Sequence, residues 1–118
     1  MKYLCLILLD EDAYGRMPDR DWKALEKEHL DYDEALRRSG HFIASEALQP
    51  AGASTVVRVR QGRTFVTDGP FMETKEQLGG FFLIEARDLN EAILVASRIP
   101  SARLGSVEVR PVRELGPV

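Results

Sequence analysis

The chain has one cysteine, Cys5, and two histidines, His29 and His41, in 118 residues. A single cysteine excludes an intrachain disulfide. One Cys and two His also cannot supply the Cys-rich tetrahedral set of a structural zinc site, although an oxygen-ligated metal stays open. Cys5 falls inside an apolar run, where a buried and inert thiol is expected. Long hydrophobic runs are missing too. Residues 3–9 are apolar, but Asp10-Glu11-Asp12 ends the run, which is too short for a membrane span and lacks a signal-peptide cleavage region. The expected location is the cytoplasm, with no membrane partner. Basic excess is also absent, with 16 Lys and Arg against 19 Asp and Glu and a net charge of -3. Phosphate-backbone binding relies on clustered Lys and Arg, so no nucleic-acid partner is expected. No phosphate loop, nucleophile elbow or cofactor fingerprint occurs, and no cofactor is expected.

What is present is an ordinary globular composition, 44% apolar and 30% charged, in a length that suits one domain with one core. Lys2–Leu9 reads as a strand covered on both faces. Residues 10–18, with Gly15 and Pro18, read as a loop. Asp19–Ser39 is the longest helical signal. Trp22, Leu25, His29, Tyr32 and Leu36 make one stripe, and Lys23, Glu26, Lys27, Asp31, Glu34 and Arg38 the opposite face. Gly40 supplies the stop. Residues 41–48 form a second strand. Thr55–Arg60 and residues 63–67 flank Gln61-Gly62 as a hairpin. Residues 80–86 are a further strand. Asp88 caps a second helix in a capping-box arrangement with Glu91, and residues 105–112 close the chain as a strand.

The order β-α-β-(hairpin)-β-α-β predicts an α+β, ferredoxin-like β-α-β-β-β-β-α-β sandwich, with helices on one face of a mainly antiparallel sheet. Apolar residues on both faces of the first strand, and Phe81-Phe82, imply that the bare face is covered as well. A second copy of the chain is the economical cover, giving a homodimer with facing sheets.

The densest stretch runs from Thr67 to Phe82. It reads Asp68-Gly69-Pro70-Phe71, then Glu73-Thr74-Lys75-Glu76, then Gly79-Gly80. This stretch resembles the signature of the DGPF subgroup of the YCII-related proteins. Gly40-His41-Phe42-Ile43-Ala44, Glu85-Ala86-Arg87-Asp88-Leu89 and Val107-Glu108-Val109-Arg110-Pro111 add to the likeness, which covers essentially the whole chain. The resemblance implies a dimeric α+β barrel and a bacterial protein of a mostly uncharacterised family, whose members in this subgroup are often encoded beside alternative sigma factors. It also implies the catalytic His and Asp dyad proposed for the wider family, one relative of which removes chloride from a chlorinated aromatic. The dyad His comes from the first helix, where His29 stands. The Asp belongs to an Asp-Pro segment after the second helix, where this chain has Ile99-Pro100-Ser101.

Candidate acid/base residues are therefore Asp68, His41 and His29. Asp68 has the alternative of accepting hydrogen bonds from its own turn, and each histidine that of a packed or junction residue. Lys75, Glu73, Gly79, Gly80 and Arg110 are candidate ligand contacts, with Lys75 holding a small anionic substrate. Glu73, Lys75 and Glu76 read equally as solvated charges, and the glycines as a close strand approach. Three functions follow: a small enzyme moving protons in a pocket between helix and sheet or at the dimer interface, a ligand-binding or sensory module linked to sigma-factor regulation, and a structural protein.

Overall fold

Alternation sets the main sheet. In β1 (Lys2–Leu9), Tyr3, Cys5, Ile7 and Leu9 are buried, while Leu4, Leu6 and Leu8 on the other face are only half-buried. The structure, a computed structural model, describes residues 1–116. After β1 come α1 (Glu11–Gly15), α2 (Asp19–Ser39), β2 (Phe42–Ala47), β3 (Thr55–Arg60) and β4 (Arg63–Asp68). β5 (Gln77–Glu85), α3 (Leu89–Ser97) and β6 (Ser106–Pro111) complete the order, with short 3-10 turns at Ala51–Ala53 and Pro100–Arg103.

The main sheet is antiparallel, in the order β2-β5-β1-β6. With α2 and α3 packed on one face, this is a ferredoxin-like α+β fold. The core joins Tyr3, Cys5, Ile7, Phe82 and Ile84 of the sheet to Leu36 of α2 and Ala92, Val95 and Ala96 of α3. Tyr32 on α2 donates its hydroxyl to the Val95 carbonyl at 2.6 Å, tying the helices together. Burial pushes the Tyr32 phenol up to about 12.

Local chemistry explains the element ends. Gly40 closes α2 with φ 82°, a left-handed conformation that costs glycine nothing. Asp88 caps α3 by accepting the Glu91 amide at 2.9 Å, and Glu91 reaches back to the Arg87 amide at 3.1 Å. The reciprocal bond goes to the residue before the cap, one step from the usual capping box.

Two expectations need correction. Residues 10–18 are not all loop. Asp10 accepts the amides of Asp12 and Ala13 at 3.0 and 3.3 Å and so starts the short helix α1. The β3–β4 hairpin also does not join the main sheet. It forms a two-stranded sheet of its own, leaving four strands rather than six in the sandwich. Its turn places Gln61 and Gly62 both at positive φ, 52° and 75°, as a two-residue hairpin turn requires.

At the base of that hairpin the Gly69 amide bonds the Ser54 carbonyl at 2.8 Å. A Cβ on Gly69 would lie 2.7 Å from that of Ser54, so only glycine lets the two segments meet there. No helix among the described residues is long and apolar enough to cross a membrane.

Candidate functional site

A cleft of about 720 Å³ opens between α1, the first half of α2 and the β1–β5–β2 part of the sheet. Its wall is largely apolar, from Ile7, Leu9, Trp22, Leu30, Phe81 and Phe82. Tyr14 of α1 meets Trp22 edge-on at 4.8 Å and fixes that corner.

The polar centre of the cleft is a chain of three side chains from three elements. His29 stands on α2, and its Nδ1 lies 3.0 Å from the Leu25 carbonyl one turn earlier. A carbonyl can only accept, so Nδ1 carries the proton and Nε2 of the neutral ring is left as an acceptor. Nε2 lies 3.0 Å from Ser101 Oγ, which therefore donates to it. Ser101 Oγ in turn lies 3.2 Å from the Tyr14 hydroxyl, which is free to donate to it. The three residues form one directed run, Tyr14 to Ser101 to His29, ending on the Leu25 carbonyl.

Packing holds this run in place. Ser101 is 2% exposed, the one buried polar residue of the described core. It sits in the 3-10 turn that Pro100 begins, and its carbonyl accepts the amides of Leu104 and Gly105 at 3.0 and 3.1 Å. The His29 ring stacks near Phe82, with centroids 6.2 Å apart. Burial raises the Tyr14 phenol above its ordinary value, opposed by its bond to Ser101 and the charge of Arg103.

The charged side chains that line the cleft are all acidic. Glu11, Glu26, Asp33 and Glu46 line it, and no Lys or Arg does. Asp33 accepts the Ser45 hydroxyl at 2.9 Å and Glu11 the Ala51 amide at 2.7 Å, so two of the four are anchored.

Of the residues singled out in the sequence, His29, Gly79 and Gly80 reach this cleft. The glycines are explained by strand approach. A Cβ on Gly80 would sit 2.7 Å from the Glu46 carbonyl of β2, and one on Gly79 2.7 Å from a Leu9 methyl. His41 is engaged elsewhere. Its Nδ1 lies 2.7 Å from Ser39 Oγ and its Nε2 3.0 Å from Glu91 Oε1, a junction between the end of α2 and the start of α3. The Arg87 amide, then His41, hold the Glu91 carboxyl below its ordinary value.

Asp68 lies exposed at the end of β4, opposite Thr55, and makes no side-chain hydrogen bond among the described residues. It therefore neither meets a histidine nor ties its own turn. Glu73 and Lys75 are exposed in the loop before β5, and neither lines the cleft. The structure thus gives no support to a small anion held there by Lys75. Glu76 accepts the Ser106 hydroxyl at 2.9 Å. Arg110 pairs with Glu108 at 2.9 Å along its own strand.

Sequence reasoning missed Ser101 and Tyr14. The segment Ile99-Pro100-Ser101 drew attention only for an aspartate it does not have. The structure shows that its serine, one residue after the proline, is what faces His29. Tyr14 fell in the supposed loop.

Over residues 1–116 the chain matches the model of the YCII-related domain. It is also similar to an uncharacterised protein of Rhizobium meliloti (strain 1021), with 38% identity over 121 aligned residues that cover 95% of this chain and 92% of that protein.

Proposed function

The chain belongs to the YCII-related family, and we propose that it is a small enzyme moving protons on a compact organic molecule held in the cleft. One observation carries this reading: His29 presents Nε2 to Ser101 at the wall of an apolar cleft, with its other nitrogen pinned by the Leu25 carbonyl. A histidine oriented in this way is the arrangement general acid–base catalysis needs. In the neutral ring the protons point along Tyr14, Ser101 and His29 in turn. When Tyr14 accepts a proton from a bound molecule and passes its own to Ser101, Ser101 passes its own to Nε2. Reversing each bond returns the proton. Ser101 and Tyr14 are thus the relay and His29 the base.

The wall selects the substrate. Aromatic faces of Trp22, Tyr14 and Phe81, with carboxylates and no Lys or Arg in the wall itself, suit a neutral or positively charged molecule with an apolar body. That reading replaces the anion expected around Lys75. The same cleft without turnover would serve a ligand sensor, and the gene context implied by the resemblance favours that second reading.

We place the chain in the DGPF subgroup on its Asp68-Gly69-Pro70-Phe71 run, in the cytoplasm, and as a homodimer. The half-buried Leu4, Leu6 and Leu8 of the bare sheet face support the dimer, since apolar rows of this kind are usually covered. Melting-temperature shifts with small amines, followed by turnover assays on the binders, test the enzyme reading. Binding without turnover would leave the sensor.

A further inference from the structure

The β3–β4 hairpin stands apart from the rest of the fold. Its strands pair only with each other, and contact with the remaining elements is marginal. A lone two-stranded hairpin is only marginally stable in water, and a third strand or a covering element is what makes such a sheet stable.

The register sorts this arm into two faces of different chemistry. Thr55, Val57 and Val59 oppose Asp68, Val66 and Thr64, and these six share one face. On it Val57, Val59 and Val66 are 59%, 58% and 63% exposed. Val56, Arg58 and Arg60 oppose Thr67, Phe65 and Arg63 on the other face. Arg60 and Arg63 thus stand directly across from each other, a like-charge pair that costs stability. Arg58 lies over the Phe71 ring at 5.5 Å and Arg63 over the Phe65 ring at 5.8 Å. Among the described residues none of the three arginines pairs with a carboxylate, the ion pairs all lying elsewhere. The basic face lacks its counter-charge.

The backbone of the arm has an open side as well. The Gly69 amide bonds the Ser54 carbonyl at 2.8 Å at the base of the ladder. Bonded and non-bonded pairs alternate along an antiparallel ladder. Counted from that bond, residues 56, 58 and 60 bond across the hairpin, while Thr55, Val57 and Val59 turn their amides and carbonyls outward. A strand laid along this edge of β3 would have Arg58 and Arg60 beside it on one face and Val57 and Val59 on the other, at the two-residue period of any strand.

We propose that the outer edge of β3 receives an extended segment of a partner protein in which acidic and β-branched residues alternate. Main-chain bonds to Val57 and Val59 hold the segment, its carboxylates meet Arg58 and Arg60, and its apolar residues lie beside the valines. A nucleic-acid strand would match the charge but leave the outward amides and the valines unmet. No strand of this chain among the described residues has two acids at alternate positions, so the partner is a different protein. The site is separate from the cleft and independent of its chemistry.

Anisotropy of a fluorescein-labelled peptide, Thr-Glu-Val-Glu-Val-Glu-Val-Thr, titrated with the full chain tests it. Binding is expected below about 1 mM, and the double substitution Arg58→Glu and Arg60→Glu should weaken it at least about tenfold. The far-UV circular dichroism and main melting transition of that variant should be kept, because the arm lies outside the core. A peptide with lysines in place of the glutamates should reverse the preference and bind the double variant better than the wild type. A peptide of the first composition with its glutamates in one block should bind the wild type at least about tenfold more weakly, because its period is wrong. Equal binding of the block peptide, or of an oligothymidylate, would make the face a general anion surface and overturn the proposal. Peptide binding seen only at dilutions where sedimentation shows a monomer would give the edge to a second copy and overturn it too. No binding of the alternating peptide at about 1 mM would do the same.

Discussion

His29 Nε2 and Ser101 Oγ, 72 residues apart in the chain, lie 3.0 Å from each other at the wall of the cleft. The bond joins the middle of α2 to the turn after α3. It therefore exists only once the two helices have packed on the same sheet. Ser101→Ala leaves both His29 Nε2 and the Tyr14 hydroxyl without this partner. The variant should lose about 1–3 kcal/mol of stability, the usual cost of stranding buried polar groups. His29→Ala and Tyr14→Phe should reduce any turnover of a cleft substrate by roughly a hundredfold, the lower end of what general acid–base groups supply. Asp68→Asn and Lys75→Ala, both outside the cleft, should leave it unchanged. Rates measured across these five variants separate the relay from the Asp68 corner.

Gly80 faces the Glu46 carbonyl so closely that a methyl group cannot be added without moving β2. Gly80→Ala should lower stability by about 1–3 kcal/mol in denaturant unfolding. A neutral result would mean that the strands separate easily at that edge of the cleft.

Cys5 is fully buried in the core, and burial pushes its thiol from 9.0 up to about 11. The thiolate is the reactive form, so native protein near neutral pH should not react with Ellman's reagent on the time scale of mixing. Reaction should follow global unfolding, and its rate should rise with denaturant in step with loss of circular dichroism.

Glu91 links the caps of α2 and α3 through His41, the Arg87 amide and Arg87 itself. Its carboxyl is held below the ordinary 4.5. The folded state therefore binds fewer protons than the unfolded chain in that window. The stability this contributes is fully present above 4.5 and is lost as pH falls through the lower folded value. Glu91→Gln should flatten the acid limb of a melting-temperature profile. An unchanged limb would place the acid sensitivity in other carboxylates.

Much of this arrangement was legible in particular residues. The stripe through Leu25, His29 and Leu36 marks α2, which runs Asp19–Ser39 as expected, and Asp88 with Glu91 marks the start of α3. Gln61-Gly62 gave the hairpin turn. Its independence from the main sheet was not legible, because alternation in Thr55–Arg60 is the same whether a strand joins a sheet or projects from it. The site was half legible for the same reason. His29 stood out as the polar member of an apolar stripe. Ser101 lies in a short turn with no periodicity, and its role comes entirely from the packing of distant elements. Local density of charges and glycines instead drew attention to Asp68 and Lys75, which the fold leaves in solvent.

The substrate class is the central claim, and a melting-temperature screen of matched small organic amines and carboxylates tests it most directly. Each ligand should be run on the wild type and on Asp33→Asn. The account predicts that amines with an apolar body raise the melting temperature of the wild type and shift the variant less, while carboxylates do nothing. Stabilisation by carboxylates alone, or by amines equally in both proteins, would contradict it.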